Sequence, residues 1–191
     1  MGIINKCSKL RLASFLSKAL PGIDKIVIHN EFIMCNVKPD FVFLCVKLIK
    51  QLSFLRYEEM LDIWASDFPY KKERFEVNYL FLNILTSQRL VLRTYVQENQ
   101  GLSSINELYS SAGWLEREVW DMFGVLFYNN HDLRRILTDY GFDGHPLRKD
   151  FPLSGFLEVR YDDSEKRVVY EPLEVSQEYR MFNFKSPWER L

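Results

Sequence analysis

A chain of 191 residues is long enough to bury a substantial core, and fits one domain with a tail or two small domains. Hydrophobic residues at 47% and charged residues at 27% strike the balance of an ordinary globular protein. The formal net charge of -1 supplies no field to hold a polyanion, which excludes nucleic acid as the main partner.

Residues 1–22 read as an amphipathic helix with Lys6, Lys9, Arg11 and Lys18, no acid, and Leu12, Phe15, Leu16 and Leu20 towards one side. That composition fits a mitochondrial targeting segment and a helix docking on a neighbour equally well. Lys6 stands where a myristoylation signal wants Ser or Thr. Pro21-Gly22 ends the helix, and Lys25 to His29 with Phe32 to Val37 form an expected hairpin. Asp40, after Pro39, is expected to cap a helix running to about Leu55. The longest clean apolar run, Phe41 to Val46, is far short of the ~20 residues a bilayer crossing needs.

Met60 to Phe68, Arg74 to Leu85 and Arg89 to Gln97 read as strands, giving an antiparallel sheet with helices packed against it. Ser110 or Ser111 is placed to cap a short helix, Gly113 to Phe123, ended by Gly124. On it Leu115, Val119 and Met122 share a face, with Glu116, Arg117 and Asp121 elsewhere. Arg117 and Asp121, at i and i+4, are expected to pair.

Beyond residue 125 the periodicity collapses. Gly141, Gly144, Pro146, Pro152 and Gly155 punctuate a stretch that still holds Tyr140, Phe142, Phe151 and Phe156. A hairpin is expected from Phe156 to Tyr161 and Arg167 to Glu171, and Gln177 to Trp188 is aromatic and irregular again. Disordered tails are poor in aromatics, because such chains cannot bury enough apolar area to offset ordering entropy. This aromatic tail is expected to lie extended across another protein, the alternative being that it wraps back over its own domain. The predicted fold is therefore α+β. Residues 23–125 form an antiparallel or mixed sheet with flanking helices, and residues 126–191 an extended tail carrying a hairpin.

Chemistry is sparse. Cys7, Cys35 and Cys45 are odd in number, with no CxxC, and read as small buried hydrophobes in a reducing compartment. A zinc or iron–sulfur site built by this chain alone is not expected. Among acids, Glu116 and Glu118 point to different sides of a helix, and His131 and His145 have no metal-ligand spacing. A free-standing acid/base enzyme using Glu118, Asp121 and His145 is the reading from another functional class. Arg134, Arg135, Arg148 and Lys149 interleave with Asp132, Asp139, Asp143 and Asp150, a pattern of a salt-bridged interface or, failing that, a solvated surface.

The run Glu116-Arg117-Glu118-Val119-Trp120-Asp121-Met122-Phe123-Gly124 continues in Asp132-Leu133-Arg134-Arg135-Ile136-Leu137-Thr138-Asp139-Tyr140-Gly141-Phe142 and Gly144-His145-Pro146-Leu147-Arg148-Lys149-Asp150-Phe151-Pro152-Leu153. Together these resemble the 30 kDa subunit family of respiratory complex I, also called NADH dehydrogenase subunit 9, in its mitochondrial wording. The hairpin, the closing Ser186-Pro187-Trp188-Glu189, Asp67-Phe68-Pro69 and Arg74-Phe75-Glu76-Val77 resemble it too, so coverage runs from about Arg56 to the end. One departure is visible: the family usually has His-Pro where this chain has Asn130-His131.

The resemblance implies a structural subunit of NADH:ubiquinone oxidoreductase in the peripheral arm, near the quinone-reducing module. It implies no catalytic site and no flavin, cluster, metal or quinone of its own; FMN, iron–sulfur clusters and ubiquinone belong to partner subunits. It implies packing chiefly on the larger hydrogenase-related subunit, with membrane association only through the complex, on the matrix side of the mitochondrial inner membrane or the cytoplasmic face of a bacterial one. The motif residues Glu116, Arg117, Glu118, Trp120, Asp121, Phe123, Asp132, Arg134, Arg135, Asp139, Tyr140, His145, Pro146, Arg148, Lys149, Asp150, Phe151 and Trp188 become its interface candidates. The same fold in a related membrane-bound hydrogenase-like or quinone-reducing complex is the remaining variant.

Overall fold

The computed structural model describes residues 2–175, 180, 182, 184, 186 and 188, with side chains from residue 9 onward. The side chain of Cys7 and much of the segment from Gln177 to Trp188, with Pro187 and Glu189, lie outside the described residues. Two compact units follow one another, residues 1–149 and 150–191.

The first unit is built on a five-stranded mixed sheet of order β1-β2-β5-β4-β3. Its strands are β1 (Ile23–Ile28), β2 (Phe32–Val37), β3 (Glu59–Asp67), β4 (Phe75–Asn83) and β5 (Gln88–Val96). β1–β2, β3–β4 and β4–β5 are antiparallel neighbours, while β2 and β5 run parallel, with Cys35 opposite Leu92. That parallel seam joins the first hairpin to the β3–β4–β5 meander, because the chain crosses over through a helix between β2 and β3. Alternation decides the core face: Ile33, Cys35 and Val37 of β2 are buried while Phe32, Met34 and Asn36 are half-buried.

Helices cover that face. α1 (Gly2–Ala19) places Leu12 and Leu16, with Leu20 just beyond, in the core of its own unit. The described part of this helix packs one face against its own sheet. Phe15, expected towards the apolar side, is 39% exposed, its ring tilted against that of Phe54 at 5.5 Å, while Ala13 is buried.

Pro39–Phe41 forms a single 3-10 turn before α2 (Val42–Gln51), which buries Val42, Cys45, Val46 and Ile49. Asp40 makes no capping bond; Pro39, with its pre-set φ, starts the turn. α2 stops four residues before the expected Leu55, because the chain must turn back for Leu55 and Tyr57 to reach the core.

After β5 comes a β–α–β unit. β6 (Leu102–Ser103) and β7 (Phe127–Tyr128) pair in parallel, and α3 (Ala112–Phe123) runs between them and packs along β3. The expected boundary at residue 125 is not where the compact unit ends, since residues 126–149 are bonded to α3 and to the β3–β4 corner. The second unit holds an antiparallel hairpin, β8 (Leu157–Asp162) and β9 (Arg167–Pro172).

Candidate functional site

The motif residues converge on α3, and the helix is unusual in burying its polar residues. Glu116 and Asp121 are 0% exposed and Arg117 is 8% exposed, while Leu115, Met122 and Phe123 are only half-buried. The expected division of the helix is therefore corrected: the carboxylates point inward. Burying a charge is costly unless it is hydrogen-bonded or paired, and each of these is hydrogen-bonded.

Glu116 takes the hydroxyl of Ser104 at 2.6 Å, the N–H of Ile105 at 2.8 Å and the side-chain amide of Asn130 at 2.8 Å. It thereby joins the residues just after β6 to those just after β7. Burial pushes its carboxyl above the usual range, and the donors from Ser104, Ile105 and Asn130 only partly offset that.

Asp121 organises the next segment. It accepts the N–H groups of Ile136, Leu137 and Thr138 at 3.1, 2.8 and 3.0 Å, the Thr138 hydroxyl at 2.7 Å, and Arg135 Nη1 at 2.8 Å. Burial would raise its carboxyl, but the hydroxyl and N–H of Thr138 and the N–H groups of Leu137 and Ile136 win and hold it well below the ordinary value. Arg117 does not pair with Asp121 as the i, i+4 spacing suggested. Its guanidinium donates to the carbonyls of Arg134 and Arg135 at 3.0 and 3.2 Å and lies 4.0 Å from Asp132. Asp121 is already filled by five donors from the loop.

The last turn of α3 is sewn down in the same way. A helix leaves its final carbonyls without partners and its C-terminus partly negative. Here the Asp121 carbonyl lies 3.0 Å from His145 Nδ1, Met122 accepts from the N–H of Leu147 at 3.1 Å, and Phe123 accepts from Arg148 Nε at 2.6 Å. Gly124 closes the helix at φ +78°, where a Cβ would also sit 2.6 Å from His145 Nε2. Ser111 occupies the N-cap without a side-chain bond. Burial, the Asp121 carbonyl opposing, lowers the basicity of His145, and the neighbouring Arg148 and Arg135 charges add to the lowering. Arg148 continues to Glu98 at 2.8 Å. Asp67 accepts the N–H of Lys149 at 2.8 Å while bound by both arms of Arg74 at 2.8 and 3.0 Å.

The family profile described as "Respiratory-chain NADH dehydrogenase, 30 Kd subunit" matches residues 35–157. The chain belongs to that family. It is 50% identical over 169 residues to NADH-ubiquinone oxidoreductase subunit 9 of Reclinomonas americana, covering 88% of this chain and 83% of that one. It is 56% identical over 173 residues to NADH dehydrogenase [ubiquinone] iron-sulfur protein 3 of Beta trigyna, covering 91% and 88%. A solved chain of the membrane-bound sulfane sulfur reductase, an archaeal respiratory membrane complex, shares the fold with a TM-score of 0.66 at 23% identity, over 76% of this chain and 86% of that one.

Within the 30 Kd subunit family motif, the structure separates holding residues from presented ones. Glu116, Arg117, Asp121, Arg135, His145 and Arg148 hold the segment 130–149, with Trp120 and Phe142 stacked on Arg135 at 5.5 and 5.8 Å. Phe123 and Pro146 are half-buried beside them. Presented to solvent are Glu118, Asp132, Asp139, Lys149, Arg134 and Tyr140, the last 99% exposed. Arg134 pairs locally with Asp132 at 3.0 Å. Asp150, Phe151 and Trp188 belong to the second unit, where Phe151 meets Phe156 edge-on at 5.4 Å and Trp188 is exposed.

Glu118, Asp121 and His145 do not form an acid/base group: Glu118 faces solvent, Asp121 is saturated, and His145 meets the backbone of Asp121 and not its carboxylate. An open groove of about 260 Å³, smaller than a typical ligand pocket of roughly 300–1,000 Å³, lies beside Trp114, Arg117, His131 and Arg134. Burial pushes the thiols of Cys35 and Cys45 up to about 12 and about 11, the opposite of what a thiolate ligand needs. Among the described residues no group of three or more His, Cys, Asp or Glu could hold a metal ion.

The departure at Asn130-His131 is explained in part. Asn130 keeps a side-chain donor on Glu116 while its carbonyl oxygen accepts the N–H of Asp132 at 3.0 Å; His131 is exposed. Sequence reasoning missed Ser104, Asp67, Arg74 and Glu98 as members of this lattice. Of these, only the Asp67 and Arg74 motifs carried a signal, as part of the family resemblance.

Proposed function

We propose that this chain, a subunit of the respiratory NADH:ubiquinone oxidoreductase whose partners are other subunits of that complex, acts there as a docking subunit without a catalytic site or cofactor of its own, in the peripheral arm near the quinone-reducing module. Its chief neighbour is the larger hydrogenase-related subunit, and FMN, iron–sulfur clusters and ubiquinone reside in the partners. In this reading it lies on the matrix side of the mitochondrial inner membrane, which it reaches only through those partners. No described helix is long and apolar enough to cross a membrane.

One observation carries this reading. The charged residues of the motif are spent on fixing an irregular segment to α3, and that segment holds Arg134, Leu137, Tyr140 and Leu147 out to solvent. Catalytic groups converge on a cleft; here the buried charges face backbone amides and carbonyls instead. Large side chains held rigidly on a preorganised loop are what a protein interface requires.

The test is charge reversal at Arg134, whose side chain is 70% exposed and so separates docking from folding. In Arg134→Glu the amount of assembled complex falls while NADH oxidation per assembled complex stays near wild type. Normal abundance with reduced turnover per complex would overturn the docking reading in favour of a chemical role.

A further inference from the structure

The second unit carries a surface that the motif lattice does not use. In the β8–β9 hairpin Leu157 lies opposite Pro172, Val159 opposite Tyr170, and Tyr161 opposite Val168. Side chains alternate along a strand, so these six share one face of a two-stranded sheet. Leu157, Val159, Tyr161, Val168 and Tyr170 are each between 52% and 60% exposed.

The other face is mostly charged. It carries Glu158, Arg160, Asp162, Arg167 and Glu171 around Val169, and Arg160 grips Glu171 through two bonds of 2.7 and 2.9 Å while lying 3.5 Å from Asp162. Arg167 pairs with Glu165. Charges paired within the hairpin demand nothing further, whereas an apolar face on a two-stranded sheet does. An isolated hairpin is only marginally stable in water.

We propose that this apolar face is an interface seated on another protein subunit of the complex, on an aliphatic strip flanked by basic side chains. The inference rests on membership in the assembled complex. Area selects a heteromeric partner over a second copy. The face offers on the order of 500 Å². Two copies face to face would bury only about 1,000 Å², below the roughly 1,200–2,000 Å² of a stable interface. The hairpin must therefore dock as one part of a larger contact. Charge selects protein over lipid and gives the partner its rim. Residues 157–174 hold six carboxylates against three basic side chains, which an anionic bilayer repels and a basic protein rim attracts. Tyr161 and Tyr170, diagonal neighbours on this face, add two polar tips suited to a half-wet contact.

Cysteine accessibility in the intact complex tests this. Val159→Cys and Val168→Cys report the apolar face, Glu158→Cys the opposite one, and the parental chain gives the background from the native cysteines. In detergent-extracted complex of normal abundance, maleimide labelling at positions 159 and 168 is expected to be about tenfold slower than at 158. The rates should converge once the subunits are separated in chaotrope. A short photo-crosslinker on Val168→Cys should then yield one neighbouring subunit, joined through a peptide rich in Lys or Arg. Equal labelling of both faces in a complex that contains the chain would overturn the hairpin inference and leave the docking function standing. Crosslinks only to lipid, to a second copy or to the chain's own first unit would overturn it likewise. A chain absent from the complex would overturn both.

Discussion

At the scale of single residues, two carboxylates of α3 have opposite electrostatics. Asp121 is held low by hydrogen bonds, Glu116 is pushed up by burial. The stabilisation from Asp121 is complete above the unfolded carboxyl value of about 4 and is lost as pH falls through its lower folded value. Glu116 runs the other way: its raised folded value destabilises the ionised form, so its cost appears as pH rises past the unfolded value. Acid denaturation of the purified chain should therefore begin below about pH 4, and Asp121→Asn should shrink that acid-dependent loss. The same substitution leaves Arg135 half-buried and unpaired, at an expected cost of about 3–5 kcal/mol near neutral pH, read as a lower urea midpoint. Gly124→Ala meets both a left-handed backbone and the His145 ring. It should cost about 1–3 kcal/mol in a thermal melt. Asn130→Ala leaves Glu116 one donor short, about 1–3 kcal/mol, and Asn130→His should recover most of that by restoring a ring N–H.

At the scale of elements, what periodicity could show was visible in the sequence. The five sheet strands, α2 and the late hairpin fall within a few residues of their expected positions, because alternation and turn residues encode them. The parallel β2–β5 seam was not readable, since strand order depends on long-range pairing and not on local pattern. α3 was located, but the burial of Glu116 and Asp121 was not anticipated. A hydrophobicity pattern treats a carboxylate as an outward residue, and the donors that make its burial tolerable come from Ser104, Asn130 and residues 135–138. Only the family resemblance marked those stretches as belonging together. The collapse of periodicity after residue 125 suggests the onset of a tail. As far as Lys149 it is instead an irregular segment ordered by side-chain-to-backbone bonds. Such order leaves no repeat in a sequence.

At the scale of the whole molecule, membership in the respiratory NADH dehydrogenase makes sense of what would be liabilities in a free protein. Tyr140, Leu153, Phe184 and Trp188 are all at least 70% exposed, and exposed large apolar side chains in such number mark interaction surfaces or aggregation hazards. A free chain of this kind should be short-lived in a cell, whereas one assembled with its partners hides these groups. The most direct test of the central claim is to tag the chain in its source, extract membranes in mild detergent, and stain a native gel for NADH dehydrogenase activity. Migration of the tag with a very large NADH-oxidising band is the result predicted here. Migration as a small free protein, with the NADH-oxidising band elsewhere, would contradict it.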